Sequence, residues 1–360
     1  MRVAIISDTV DNIDGVAIGL RRLVAAGRRS GRSMTLIGPA GNADIVDDVV
    51  RIPAAMSAAL PMYPQYTWSV PELPALTTWL AKNADIVQLA TPGPMGMAAL
   101  IAARMLKLPV IAQYHTEVPD YAARLTGMPF VKGLVEPFVG WFYQQADLCL
   151  APSQAVEDRL RGLGITRIQR VRRGTDLALF SPEKRVAGPP TALYVGRISK
   201  EKNIDVLRDA WAQIHAKRPD AILRVAGDGP VALDGPGIVR LGVLHGEDLA
   251  REFASADVFI FPSETETFGN VVVEAAASGL PAIVSSKGAS HEHVTRETGV
   301  IADGAAAIAR EVLALFDDPD RRARMSRAAR EHALAYDLDA ALTATWEIYR
   351  SLKAPLAVAS

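Results

Sequence analysis

The chain has 360 residues and a mass of 38.6 kDa, enough for two domains that each bury a core and too long for one small module. Hydrophobic residues at 49% and charged residues at 22% exclude a disordered or fibrous chain, and a net charge of -1 excludes charge-driven wrapping of nucleic acid. Residues 1–180 carry 18 Lys/Arg against 15 Asp/Glu and the remainder 21 against 25, so the first half is net +3 and the second -4. The single cysteine, Cys149, sits in an apolar run and can form no intramolecular disulfide, which points to a reducing, cytoplasmic setting. The start Met1-Arg2-Val3-Ala4-Ile5-Ile6 reaches Asp8 at once, too short for a signal-peptide core, and no stretch offers the roughly 18 apolar residues of a membrane span. Any membrane contact is therefore expected to be peripheral.

In chain order, residues 3–7 form an apolar run that ends in a polar turn, followed by a helical pattern over 16–26. Strands are predicted at 35–37, 85–89, 109–112 and 148–150, with helices at 95–106, 130–145 and 154–163 between and after them. Short apolar runs separated by helices predict a doubly wound parallel sheet. Around 180–190 the pattern dissolves into Pro, Gly and charge and reads as a linker. A second alternation then runs through strands at 192–195, 222–226, 258–261 and 281–284 and helices at 203–216, 247–255 and 270–278. The expected organisation is an N-terminal Rossmann-like domain over 1–180, a second over 181–335 and a C-terminal helix over 336–360 that packs back on the first. Two such α/β units face a cleft, and ligands in open parallel sheets sit beyond the carboxyl ends of the strands.

The loops leaving strands therefore carry the candidates. After the first strand, residues 8–15 end in Gly15 at a helix start, where backbone N–H groups and the helix dipole suit a phosphate, although a capped turn explains it equally. Asp8, Asp11 and Asp14 lack EF-hand spacing and read as caps and turn residues. His115, in Gln113-Tyr114-His115-Thr116-Glu117, emerges directly after a strand, where it can orient or protonate a substrate group or serve the fold. In the second half, Gly196-Arg197 and Lys202 frame a strand–turn–helix that offers two cations to a pyrophosphate, or a solvated basic loop. The segment 261–281 is the sharpest signal. Glu266 lies in a strand-end loop, Phe268-Gly269-Asn270 opens a helix, and Glu274 sits among Val271, Val272, Val273, Ala275 and Ala276. A carboxylate there is costly to bury unless hydrogen-bond donors such as a ribose diol meet it. His291-Glu292-His293 lacks a zinc-site spacing and reads as a surface loop, and Asp337-Leu338-Asp339 stands away from any strand end.

The run Pro262-Ser263-Glu264-Thr265-Glu266-Thr267-Phe268-Gly269-Asn270, continuing to Glu274, together with Gly196-Arg197 and Lys202, resembles the donor site of the family 4 retaining glycosyltransferases of the GT-B fold. Tyr114-His115-Thr116-Glu117 and Ala90-Thr91-Pro92-Gly93-Pro94-Met95-Gly96 resemble its lipid-directed branch, which includes sulfoquinovosyl diacylglycerol synthase and bacterial mannosyl- and glucuronosyltransferases acting on glycolipids. The resemblance implies that Glu274 holds the donor ribose and that Arg197 and Lys202 neutralise the pyrophosphate. It implies further that Glu266 with the N–H groups of Phe268, Gly269 and Asn270 grips the transferred sugar, that Gly15 approaches the phosphates, and that His115 lies beside the reacting carbon. The loop Asn12-Ile13-Asp14-Gly15-Val16 has one glycine where many relatives have two.

The resulting expectation is metal-independent, retaining transfer of a hexose or hexuronic acid from a nucleotide-sugar to a lipid hydroxyl. A UDP-sugar is favoured over GDP-mannose, and no cofactor and no nucleic acid partner is expected. The acceptor would be met at an anionic membrane surface, with the protein held peripherally on the cytoplasmic face. The sequence places no carboxylate securely beneath the sugar for a covalent intermediate, and the resemblance implies attack on the same face as departure. A sugar-nucleotide 2-epimerase and a catalytically idle nucleotide-sugar binding subunit are the alternatives.

Overall fold

The computed structural model describes residues 1–11, 15–40, 48–60 and 63–353. The chain divides into two compact units, one of residues Met1–Val171 with Ala341–Ser360 and one of Arg172–Ala340.

In the first unit the strands are β1 (Arg2–Ile6), β2 (Ser33–Pro39), β3 (Val49–Ile52), β4 (Ala54–Leu60), β5 (Tyr63–Pro71), β6 (Ile86–Leu89), β7 (Val110–Gln113), β8 (Leu148–Ala151) and β9 (Ile168–Arg170). The helices are α1 (Gly15–Arg29), α2 (Leu73–Asn83), α3 (Pro94–Met105), α4 (Val118–Thr126), α5 (Val131–Gln144) and α6 (Gln154–Gly162). Among the described residues a parallel sheet runs β3-β2-β1-β6-β7-β8-β9. Its central strands are mostly apolar because helices cover both faces: Ile5, Ile6, Val87, Val110 and Ile111 are fully buried, and the buried Gln88 of β6 donates to Gln113 of β7 at 2.9 Å. Cys149 is buried in this core, where desolvation pushes its thiol up to about 12. One element departs from the expected parallel pattern. β4 and β5 form a separate antiparallel pair, with Ser57 and Ser69 hydroxyls 3.0 Å apart and Met56 and Trp68 turned to solvent.

The second unit contains β10 (Thr191–Val195), β11 (Ile222–Ala226), β12 (Ile238–Gly242), β13 (Val258–Phe261), β14 (Ala282–Val284) and β15 (Gly299–Ile301). With them run α7 (Ile204–Lys217), α8 (Gly246–Ser255), α9 (Asn270–Ala277), α10 (Ala305–Asp317) and α11 (Pro319–Ala333). The described strands form a parallel sheet ordered β12-β11-β10-β13-β14-β15. Trp211, Phe253, Phe259 and Phe261 fill its core, together with Phe180. The Pro- and Gly-rich stretch around 180–190 thus packs as part of this unit: Phe180 is fully buried, and Arg185 bonds to Asp257 at 2.6 Å and to the Ala256 carbonyl at 2.7 Å. The chain passes between units at Val171/Arg172 instead, and again within the last helix, α12 (Leu338–Lys353). From Ala341 onward this helix belongs with the first unit, where Tyr349 donates to Gln88 and Thr343 accepts from Arg32 at 2.9 Å. Asp337 caps α12 by accepting from the Ala340 N–H at 2.8 Å, which gives the first acid of that pair a helix-capping role.

Candidate active site

In the second unit the strand order decides which loops meet. β10 and β13 are parallel neighbours, so the turn after β10, carrying Gly196, Arg197 and Lys202, and the loop after β13, carrying Glu266, leave the same edge of the sheet. Two bonds stitch these loops: Asn203 donates to the Pro262 carbonyl at 3.0 Å and Thr265 to the Glu201 carbonyl at 3.3 Å. Below them Tyr194 donates to the Arg197 carbonyl at 2.7 Å.

The ammonium of Lys202 donates to Oε1 of Glu266, and Ser263 donates to the same oxygen at 2.8 Å. Burial works to raise the Glu266 pKa. The ion pair with Lys202, the Ser263 bond and the charge of Arg173 outweigh it and hold the carboxyl below its ordinary range. The sequence reading gave Lys202 to the pyrophosphate and Glu266 to the sugar as independent groups. The structure binds them to each other, and the two remaining N–H donors of the ammonium are those left for other partners. Arg197 stands 4.0 Å from Glu201 and is half-buried.

Glu274 lies one turn into α9 and is only 5% exposed. The start of α9 is shaped by Gly269, whose φ of 92° is open to glycine and whose added Cβ would lie 2.7 Å from Ser290 Oγ. Beneath this turn is a residue that the sequence placed in a surface loop. His293 is buried at the end of a short 3-10 turn, with Nε2 2.8 Å from the Phe268 carbonyl and Nδ1 3.0 Å from the Tyr336 hydroxyl. A carbonyl can only accept, so Nε2 carries the proton and Nδ1 accepts from Tyr336. Desolvation pushes the His293 pKa down to about 4, so the ring is neutral at physiological pH. His293 therefore fixes the backbone of Phe268-Gly269-Asn270, with both ring nitrogens engaged by protein partners. Among the described residues no group of three or more His, Cys, Asp or Glu is arranged to hold a metal ion.

Arg173 is a second residue that sequence reasoning passed over. Its guanidinium lies 5.6 Å over the Phe268 ring, and burial pushes its pKa down to about 10 against the opposing pull of Glu266. The doublet Arg172-Arg173 before Gly174 was the available signal.

In the first unit, β1 leads through Asp8 to Gly15, the first residue of α1; Asn12, Ile13 and Asp14 lie outside the described residues. Asp8 caps α3, accepting from Met95 N at 2.8 Å and from the Thr91 hydroxyl, and burial raises its pKa despite these bonds. Asp11 pairs with Arg51 through both oxygens. Both are cap and turn residues. His115 is buried, two residues beyond β7 and three before α4. The chain there is anchored by Tyr114, whose hydroxyl donates to Glu117 at 2.8 Å, while Glu117 and Glu136 both pair with Arg159. This network ties the loop that carries His115 to α5 and α6.

Two parallel α/β units, one of them gathering cations and carboxylates at adjoining strand ends, define a class of enzymes that handle anionic nucleotide substrates. Comparison with known proteins narrows the class. Residues 13–179 match the model described as Glycosyltransferase Family 4, and residues 189–318 the model described as Glycosyl transferases group 1. A GDP-mannose-dependent alpha-mannosyltransferase of Mycobacterium tuberculosis is 32% identical over 84% of this chain and 83% of its own length. The sulfoquinovosyl transferase of Arabidopsis thaliana is also 32% identical, over 81% of this chain and 62% of its own length. The alpha-monoglucosyldiacylglycerol synthase of Streptococcus pneumoniae is 28% identical over 79% of this chain and 70% of its own. Among solved structures, the sucrose-phosphate synthase of Thermosynechococcus elongatus superposes with a TM-score of 0.77 at 22% identity, covering 98% of this chain and 99% of that one. The chain belongs to glycosyltransferase family 4 and is a glycosyltransferase of the GT-B fold.

Proposed function

We propose that this enzyme transfers a hexosyl or hexuronosyl group, with retention, from a nucleoside-diphosphate sugar to the hydroxyl of a lipid at the cytoplasmic face of a membrane. The observation that carries the donor half is the cluster in the second unit: Arg197, the Lys202–Glu266 pair and the buried Glu274, spread over 77 residues of sequence yet held on adjoining loops and one helix. In this reading Glu274 accepts from the ribose hydroxyls, Arg197 and Lys202 meet the diphosphate, and Glu266 with the Phe268–Asn270 turn meets the sugar. Gly15 approaches the phosphates, and His115 acts near the reacting carbon. The C1–O bond to the β-phosphate breaks, the acceptor oxygen forms the new bond on the same face, and its proton passes to the departing phosphate oxygen. Fixed cations and the positive end of α9 stabilise the growing negative charge, so a metal ion is unnecessary.

The lipid half rests on two observations. One relative is named for diacylglycerol. In addition, α5 and the residue before it turn Phe130, Leu134, Phe138 and Trp141 outward along one stripe, at 65%, 70%, 39% and 46% exposure. The buried free Cys149 fits a reducing compartment, and no described helix is long and apolar enough to cross a membrane.

A thermal-shift series with UDP, GDP, UDP-sugars and GDP-mannose tests the donor assignment, since a ligand at 100 times its Kd adds about 2.7 kcal/mol. One nucleotide series should stabilise the wild type, Glu274→Gln should lose most of that shift, and turnover should survive EDTA. No response to any nucleotide would overturn the reading. Activity restored only by added Mg2+ or Mn2+ would overturn its metal-independent part.

A further inference from the structure

We propose that Arg173 is a further catalytic residue, a third cation of the donor site that contacts the β-phosphate of the leaving nucleoside diphosphate. The inference deepens the function proposed above and rests on it. A nucleoside diphosphate departs with one more negative charge than it carried as the sugar ester, so the transition state needs cationic charge beyond what ground-state binding requires. Of the two cations first assigned to it, Lys202 is already neutralised in large part by Glu266. A further positive charge near Glu266 would restore the balance, and Arg173 is placed to supply it: its guanidinium lies over the Phe268 ring, two residues from Glu266, and it is one of the charges acting on that carboxylate.

The position is built from both sides. Behind Arg173 the backbone is clamped: Thr175 N–H donates to the Tyr336 carbonyl at 2.8 Å and Leu338 N–H to the Thr175 carbonyl at 3.1 Å. Contact is so close that a Cβ on Gly174 would lie 2.4 Å from Leu338 Cα. On the other side the ring of Phe268 is held through its own carbonyl by His293, which is fixed in turn by the same Tyr336. One residue, Tyr336, thus anchors both the strand of chain that carries the guanidinium and the aromatic face on which it rests. A half-buried, preorganised guanidinium beside a diphosphate site is worth more than one free in water.

The test uses the full chain and compares the wild type with Arg173→Gln and Arg173→Lys, titrated with UDP, UMP, GDP and GMP by calorimetry and assayed for sugar transfer or donor hydrolysis. Arg173→Gln should weaken the preferred diphosphate by about 10-fold or more, the loss of one charge-assisted contact. Its affinity for the matching monophosphate, which lacks the β-phosphate, should stay close to wild type. Turnover should fall by roughly 100-fold, and Arg173→Lys should recover a large part of both losses. Equal weakening of diphosphate and monophosphate would make Arg173 a purely structural residue, and unchanged diphosphate affinity with a changed sugar preference would move it to the sugar; either result overturns the inference while leaving the donor site intact. A wild type that binds none of the four nucleotides overturns both the inference and the function on which it rests.

Discussion

The imidazole of His293 supports the backbone carbonyl of Phe268, 2.8 Å from Nε2, and through it the turn that opens α9. The ring faces Tyr336 on its other nitrogen, with Glu292 beside it and His291 and His332 close enough to disfavour a second charge. In the unfolded chain this group titrates near pH 6.5, and in the folded enzyme desolvation moves it to about 4. Between those values the unfolded state binds the extra proton, so the stability associated with neutral His293 is complete above pH 6.5 and lost as pH falls toward 4. The difference amounts to about 3 kcal/mol. Urea unfolding of the wild type and His293→Gln at pH 7.5, 6 and 4.5 should therefore show two curves that converge on acidification. Parallel curves would mean that His293 is not held neutral.

In the proposed function His115 acts on the transition state and not on the nucleotide. His115→Ala should lower turnover by about 100-fold or more while nucleotide affinity changes little, because a group acting at the reacting carbon is felt in kcat and the base and ribose contacts remain. The residue is buried, so circular dichroism and the nucleotide thermal shift serve as folding controls. Equal losses of affinity and turnover would return His115 to a structural role.

Membrane attachment is the prediction most changed by the structure. In the net-positive first half, Arg28 of α1 pairs with Asp48 at 2.6 Å, and Arg32, just beyond α1, bonds to Thr343 and lies 5.9 Å over Trp346. Of the apolar residues near 62–68, Met62 lies outside the described residues, as do the side chains of Tyr63 and Tyr66, while Trp68 is exposed. In α5 and the residue before it, Val139, Phe142 and Tyr143 are core, and Phe130, Leu134, Phe138 and Trp141 face outward. Each large apolar side chain inserted contributes about 1.5–3 kcal/mol against about 1 kcal/mol per surface arginine. Co-sedimentation with vesicles should thus depend chiefly on the α5 stripe. The double change Leu134→Glu, Phe138→Glu should reduce partitioning by at least about 10-fold with nucleotide binding intact, and high salt should weaken wild-type binding only in part. Wild type that ignores both anionic and zwitterionic vesicles would remove the membrane from the proposal and leave the transferase.

The sequence by itself determined the alternation of strand and helix in both halves, because each apolar run is a local record of burial on a covered sheet. It also determined the Gly196-Arg197 turn and the segment from Glu266 to Glu274, where a carboxylate inside a Val/Ala helix is conspicuous in the bare sequence. Tertiary structure decided what those groups do to one another. Lys202 and Glu266 are 64 residues apart and meet only because β10 and β13 are neighbours in the sheet. His293 reads locally as a polar loop and becomes a buried support only once Tyr336 is brought over it. The β4–β5 pair, the burial of Phe180 and the two faces of α5 were settled in the same way. Periodicity states that a face is buried, but which partner covers it, and whether one does, depends on contacts between residues far apart in the chain.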